Sequence, residues 1–318
     1  MPVLSSKCYR FRPTPDDTGL RLDLYLANQE QVFSRGFIRK VVDLGGVHVD
    51  GRRIRKCSYP VRGGETVEVY LDGRPLEAFV FTEDLVIYRD ADLLAINKPA
   101  GIETQPTPAR YCGTIYEALL QFLHNPFRPK DRPELGMVQR LDRETSGLMI
   151  FSIHKRAHGG LTLVFSGRAV GKFYLALVAG NLPDEIGEFR SLLGRNRASN
   201  LVRSVERGGK EAITRYRVLE KFSGASLVEV EILTGRSHQI RVHFSEAGHP
   251  LLGDVRYGGP STWNSVEIPR QMLHSYRLSL PHPVRGDQLQ LEAPLPCDFE
   301  SMLACLRADN FTPADTKS

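Results

Sequence analysis

Asp142 stands between Arg140 and Arg143 in the stretch Gln139-Arg140-Leu141-Asp142-Arg143-Glu144-Thr145-Ser146-Gly147, just ahead of the apolar run Leu148-Met149-Ile150-Phe151. A polar segment feeding an apolar run reads as a loop entering a buried strand. The carboxylate therefore falls at a strand's edge, where flanking cations favour its ionised form near neutral pH. There it can act as a nucleophile or as a base. Charge pattern alone marks an ion pair on a solvated loop more often than a catalytic group.

Other chemistry is thinly represented. Cys8, Cys57, Cys112, Cys297 and Cys305 are scattered, with no C-x-x-C pair, so neither a disulfide framework nor a thiolate zinc site is expected. His238 and His243 lie about 140° apart around a helix, whereas a zinc pair on one helical face needs a spacing of four. The chain carries no dinucleotide glycine fingerprint and no P-loop. Neither a metal nor a cofactor is expected.

The elements that must position Asp142 belong to a globular chain. A composition of 41% hydrophobic and 25% charged residues over 318 positions excludes the disordered, fibrous and membrane classes. Apolar runs are only a few residues long, and the start, Met1-Pro2-Val3-Leu4-Ser5-Ser6-Lys7, lacks a signal-peptide core. A cytoplasmic protein with no membrane partner is expected. The net charge of +5 suits an anionic partner.

In chain order, Leu22 and Leu26 open an amphipathic helix, and Ser34 is placed to cap a second that stops at Gly45-Gly46. Short strands follow at Val47-His48-Val49 and Thr66 to Tyr70, with Asp50-Gly51 as a turn. This segment holds Arg35, Arg39, Lys40, Arg52, Arg53, Arg55, Lys56 and Arg62 against only Asp43 and Asp50, the footprint of a phosphate-binding face or of a merely solvated one. Residues 73–82 read as a linker. Beyond it, Leu85 to Tyr88, Leu93 to Asn97, Lys172 to Ala179 and Ser226 to Leu233 read as strands. Tyr116 to Leu123 and Lys155 to Ser166 read as helices, the latter weakened by Gly159-Gly160. Asn181 to Gly209, with Arg190, Arg195, Arg197, Arg203 and Arg207, reads as irregular structure reaching toward an anion. A further helix is expected after Thr234-Gly235-Arg236, capped by Ser237.

The stretch around Asp142 resembles the H-R-L-D-x-x-T-S-G signature of the RluA-type RNA pseudouridine synthases, matched at Arg140, Leu141, Asp142, Thr145, Ser146 and Gly147. Gln139 replaces the usual His; it keeps a hydrogen-bond donor but not a titrating ring. Asn97-Lys98-Pro99-Ala100-Gly101, the strand from Lys172 to Gly180, and Leu233-Thr234-Gly235-Arg236-Ser237-His238-Gln239-Ile240-Arg241-Val242-His243 resemble further elements of that family in its order. The basic N-terminal segment resembles the S4-like RNA-binding domain.

The resemblance implies an α+β fold with a mainly antiparallel sheet, preceded by a small S4-like unit. The corresponding division is an extension at 1–12, the S4-like domain at 13–72, the linker at 73–82, a catalytic domain at 83–308 and a tail at 309–318. It implies that Asp142, Tyr174 and Arg236 are catalytic: Asp142 performs the covalent or proton-transfer step, Arg236 keeps it ionised, and Tyr174 stacks on the target base. Arg140 fills the place of the extruded base, and Arg35, Arg39, Lys40, Arg52 and Arg53 contact phosphates. The expected protein is a monomeric isomerase acting without a cofactor on RNA, with ribosomal RNA favoured over transfer RNA. A non-catalytic RNA-binding or ribosome-assembly factor on the same scaffold is the alternative, to which only Gln139 points.

Overall fold

Ser34 starts the helix expected after it: its hydroxyl accepts the Phe37 N–H at 3.2 Å, and Gly45, at φ 86°, ends the helix in the left-handed region. The computed structural model describes residues 7–29, 33–167, 169–196 and 201–310. These divide into two units, Met1–Thr82 with Ile102–Arg132, and Glu83–Gly101 with Pro133–Ser318.

The first unit contains strand β1 (Lys7–Phe11), helices α1 (Leu22–Asn28) and α2 (Arg35–Leu44), strands β2 (Val47–Val49), β3 (Arg52–Ile54) and β4 (Val67–Leu71), and helix α3 (Ile115–Phe122). Its strands form one antiparallel sheet in the order β1-β4-β2-β3. Leu22 and Leu26 pack with Ile38, Val41 and Val42 over Val47, Val49, Val67 and Val69. Each such side chain contributes roughly 1.5–3 kcal/mol when fully buried. Residues 7–11, read from the sequence as part of an extension, are therefore the edge strand of this sheet. Residues 102–132, read as part of the second domain, group with this unit.

The second unit is built on strands β5 (Val86–Arg89), β6 (Leu93–Lys98), β7 (Gly136–Met137), β8 (Ser146–Ser152), β9 (Gly171–Ala179), β10 (Ile186–Arg195), β11 (Val202–Ser204), β12 (Lys210–Phe222), β13 (Ala225–Ile232), β16 (Leu273–Pro281) and β17 (Gln288–Glu292). Strands β14 (Thr262–Trp263) and β15 (Val266–Glu267) form a separate hairpin. The large sheet runs β11-β10-β12-β13-β9-β16-β8-β6-β5, with β17 on β16 and β7 on β8. Every pairing in it is antiparallel except β8 with β16. Helix α4 (Lys155–Ser166) buries Ala157 and Leu161 against β6, β8 and β16, and α6 (Cys297–Asn310) buries Phe299, Leu303 and Leu306 against β9 and β13. The fold is α+β, dominated by antiparallel pairing.

Three sequence expectations are corrected. Asn181 to Gly209 is not irregular: it holds β10 and β11. Its alternation is carried by ion pairs, Arg190 with Glu211 at 3.4 Å and Arg215 with Glu188 at 2.9 Å, so a hydrophobic period of two is missing from the sequence. Arg197 lies outside the described residues. Helix α5 (Gln239–Glu246) starts two residues after Ser237, with His238 in the cap position. Residues 309–310, read as the start of a tail, are the last of α6.

The glycines of α4 do different things. A methyl group on Gly159 would meet nothing within 4 Å, whereas one on Gly160 would lie 2.8 Å from the Pro283 carbonyl oxygen. Gly159→Ala should therefore stabilise the protein by about 0.5–1 kcal/mol. Gly160→Ala should destabilise it by about 1–3 kcal/mol. Urea unfolding of the two variants checks the opposite signs.

Candidate active site

Ser146 and Gly147 carry the chain from the Asp142 loop into the sheet. There β8 runs parallel to β16, with His274 opposite Ser146 and Ser275 opposite Gly147. At Gly147 φ is 110°, and a Cβ would lie 2.2 Å from the Ser275 carbonyl oxygen, so only glycine permits this approach. The loop is held from behind by two buried cations. Lys98, at the end of β6, donates to the carbonyls of Pro99 at 2.8 Å, Arg143 at 2.9 Å and Thr145 at 3.0 Å. Arg270 donates to the Glu144 carbonyl at 3.0 Å and to Ser146 Oγ at 3.2 Å, while its other edge is bidentate on Asp298 at the start of α6.

Asp142 emerges from this frame with 28% of its side chain exposed. Its Oδ2 accepts a hydrogen bond from Arg241 Nη1 at 3.0 Å. Arg241 lies in α5 and turns its opposite edge to Asp254, with Nε to Oδ2 at 2.6 Å and Nη2 to Oδ1 at 2.8 Å. The Tyr257 ring stacks on the guanidinium at 4.9 Å. Burial works against the cation, but the bonds to Asp254 and the charge and bond of Asp142 outweigh it and raise the Arg241 pKa. His238 Nε2 is 3.8 Å from the same Asp142 oxygen.

Tyr174 joins this group from β9. Burial pushes its hydroxyl up to about 12, and the Asp142 charge adds to the shift. The Asp142 charge is thus felt at Tyr174, and the guanidinium on Asp142 is that of Arg241 and not of Arg236. Arg236 instead donates from Nε to the Glu211 carbonyl at 2.9 Å. Both arginines lie in one stretch, and their residue types do not distinguish them. Arg241 is turned inward by its place in α5, whose start Gln239 fixes by accepting the Arg236 N–H at 3.1 Å and donating to Ile213 and Thr214. Arg140 is exposed two residues before Asp142. The Gln139 side-chain nitrogen is buried and unpartnered among the described residues.

In the first unit, Arg39, Lys40 and Arg52 are exposed. Arg35 is half exposed and shares the buried Asp23 carboxylate with Arg21, each at 3.0 Å. Arg53 is already engaged, with Nη1 on the Gly45 carbonyl and Nη2 on the Thr107 carbonyl, both at 2.6 Å. Its guanidinium is therefore a brace of the unit rather than an open cation.

Two clusters invite a chemical reading and do not sustain it. Ser146 Oγ lies 2.9 Å from His274 Nδ1, but both are buried and burial pulls the imidazole down to about 4. Asp90, Asp92 and His282 offer metal-ligand atoms within 4.8 Å of one another. Their charge is already balanced by Arg285 on Asp90 at 2.8 Å and Arg156 on Asp92 at 2.6 Å. His282 Nδ1 accepts the backbone N–H groups of Val284 and Arg285, so this is a structural ion-pair cluster.

Residues 92–246 match the family model for RNA pseudouridylate synthase, and residues 20–67 match that for the S4 domain. The chain is 37% identical over 302 residues to the ribosomal large subunit pseudouridine synthase D of Nitrosomonas europaea, covering 92% of this chain and 86% of that one. It is 36% identical over 303 residues to an uncharacterized RNA pseudouridine synthase of Aquifex aeolicus, covering 90% and 93%. The solved structure of human RNA pseudouridylate synthase domain containing 4 is similar at a TM-score of 0.57 and 27% identity, covering 70% of this chain and 92% of that one.

Removing Arg241 tests the electrostatic design. Arg241→Met leaves Asp254 buried without its cation and should cost about 3–5 kcal/mol of stability at mildly alkaline pH. Urea unfolding of the variant beside the wild type measures the loss.

Proposed function

Because the chain belongs to the RNA pseudouridylate synthase family, with an S4 domain ahead of the synthase segment, we propose that Asp142 is its catalytic carboxylate and that its substrate is large-subunit ribosomal RNA. The protein is an isomerase that converts uridine to pseudouridine in RNA. In that reaction the bond from ribose C1′ to uracil N1 breaks and a bond from C1′ to C5 forms. The C5 proton leaves and N1 gains one, so nothing is oxidised and no group is donated from outside.

The observation that carries the site assignment is the Asp142 carboxylate held at 3.0 Å by a buried guanidinium beside Tyr174. Asp142 acts as nucleophile or base, and both roles need an ionised carboxylate and fail on its conversion to an amide. Arg241 takes the orienting role that the motif had suggested for Arg236. Arg236 shapes the turn ahead of α5. The target uracil must leave its stack at a cost of a few kcal/mol. Arg140, exposed on the same loop, takes its place, and Tyr174 packs against the extruded ring.

Ribosomal RNA is favoured over transfer RNA because several relatives carry the name ribosomal large subunit pseudouridine synthase D. The protein works in the cytoplasm as a monomer without metal or cofactor, through an S4-like domain at 13–72 and a catalytic domain at 83–308. No helix among the described residues is long and apolar enough to cross a membrane. In the S4-like domain Arg39, Lys40 and Arg52 meet phosphates directly, Arg35 does so while paired with Asp23, and Arg53 supports them. Such contacts give affinity and register rather than sequence choice.

Asp142→Asn should lower tritium release from RNA labelled at uridine C5 by about ten-thousandfold while leaving RNA affinity within about twofold. Substantial residual release would remove Asp142 from the chemistry, and free uracil would point to hydrolysis instead. The double change Arg39→Ala with Lys40→Ala should reduce the slope of log affinity against log salt by about 1.4–1.8. An unchanged slope would place the phosphate contacts elsewhere.

A further inference from the structure

His238 is strained without serving as a cap. Its φ is 55° and its ψ 20°, it occupies the cap position of α5, and its side chain makes no capping bond. The other non-glycine residues with positive φ, Asp50, Asn264 and Ser265, sit in tight turns between strands. A left-handed histidine costs of order 1–3 kcal/mol and persists where its surroundings demand it. Here the conformation directs the imidazole between two partners. Nδ1 lies 2.7 Å from the Tyr257 hydroxyl, and Nε2 faces Asp142 at 3.8 Å.

The proton positions follow from the partners. Tyr257 Oη already accepts the Val202 N–H at 3.2 Å, so its own hydrogen is available to His238 Nδ1. With Nδ1 accepting, Nε2 carries the ring proton and turns it toward the carboxylate. The Tyr257 ring also backs Arg241 at 4.9 Å, so one phenol supports both groups that face Asp142.

We propose that His238 and Tyr257 are positioning residues for Asp142: Tyr257 fixes the tautomer of a neutral His238, which presents an N–H and no charge to the carboxylate while Arg241 supplies the cation in contact with it. The proposal rests on Asp142 being the catalytic group. A neutral donor orients the carboxylate without quenching it, whereas an imidazolium at the same place would hold it in a second ion pair. Burial lowers the His238 pKa; the Asp142 charge opposes this, and the charges of Arg241, Arg256 and Arg195 reinforce it. His238 is thus neutral at neutral pH and protonates only as pH falls, which sets the acid limb of the rate profile.

The test measures kcat and KM by tritium release from C5-labelled RNA between about pH 5 and pH 9 for the full-length wild type, His238→Asn and Tyr257→Phe. Asparagine tolerates the left-handed backbone, and phenylalanine keeps the ring on Arg241. His238→Asn should lower kcat by about 10–100-fold with KM within twofold and should lose the acid limb. Tyr257→Phe frees Nδ1 for protonation, so its acid limb should move to higher pH. Profiles of wild-type shape in both variants, whatever their thermal stability, would overturn the proposal. If Asp142→Asn is nevertheless inactive, only the positioning role fails; if it is active, the catalytic reading itself has failed.

Discussion

One buried guanidinium lies between two carboxylates, and the placement of Asp142 depends on it. Arg241 satisfies Asp254 with two bonds and Asp142 with one, so its cost of burial is met from one side and its charge is presented on the other. An isolated buried guanidinium, which keeps its proton, would draw in water or swing out toward solvent. Asp254 prevents both, and being buried itself it cannot swing away. The guanidinium opposite Asp142 is thus immobilised by a second, buried carboxylate, which is the arrangement preorganised electrostatics requires.

The loop bearing Asp142 is fixed by similar means. Lys98 and Arg270 spend their donors on the carbonyls of residues 143–145 and on Ser146, so the loop's backbone is satisfied inside the protein rather than by water. Gly147 lets β8 approach Ser275 closely enough for the parallel contact with β16. Together these place Asp142 at a strand entrance, partly buried, with its neighbours held from behind.

Much of this was legible in the chain itself. The polar-to-apolar switch at Gly147 located the strand, and the motif around Asp142 located the family. Ser34 and Gly45 bounded α2 because capping is local physics. The failures came where local signals end. Arg236 and Arg241 lie five positions apart, and only the start of α5, set by the long-range bonds of Gln239 to β12, decides which one faces Asp142. Strand β10 was hidden because ion pairs to β12 take part in its pairing, so its sequence lacks a clean apolar alternation. Gly160 looked like a weakness in α4 until Pro283 was seen against it.

The Asp142 loop is completed by residues far along the chain: Arg270 reaches the Glu144 carbonyl across 126 positions, and Asp298 anchors Arg270 from α6. The S4 domain needs only residues near the N-terminus, and its whole unit is complete at Arg132. During synthesis, therefore, the segment that grips RNA can fold while the segment that modifies it still lacks β16 and α6. The order of the chain thus completes the unit that holds the S4 domain before the unit that holds Asp142.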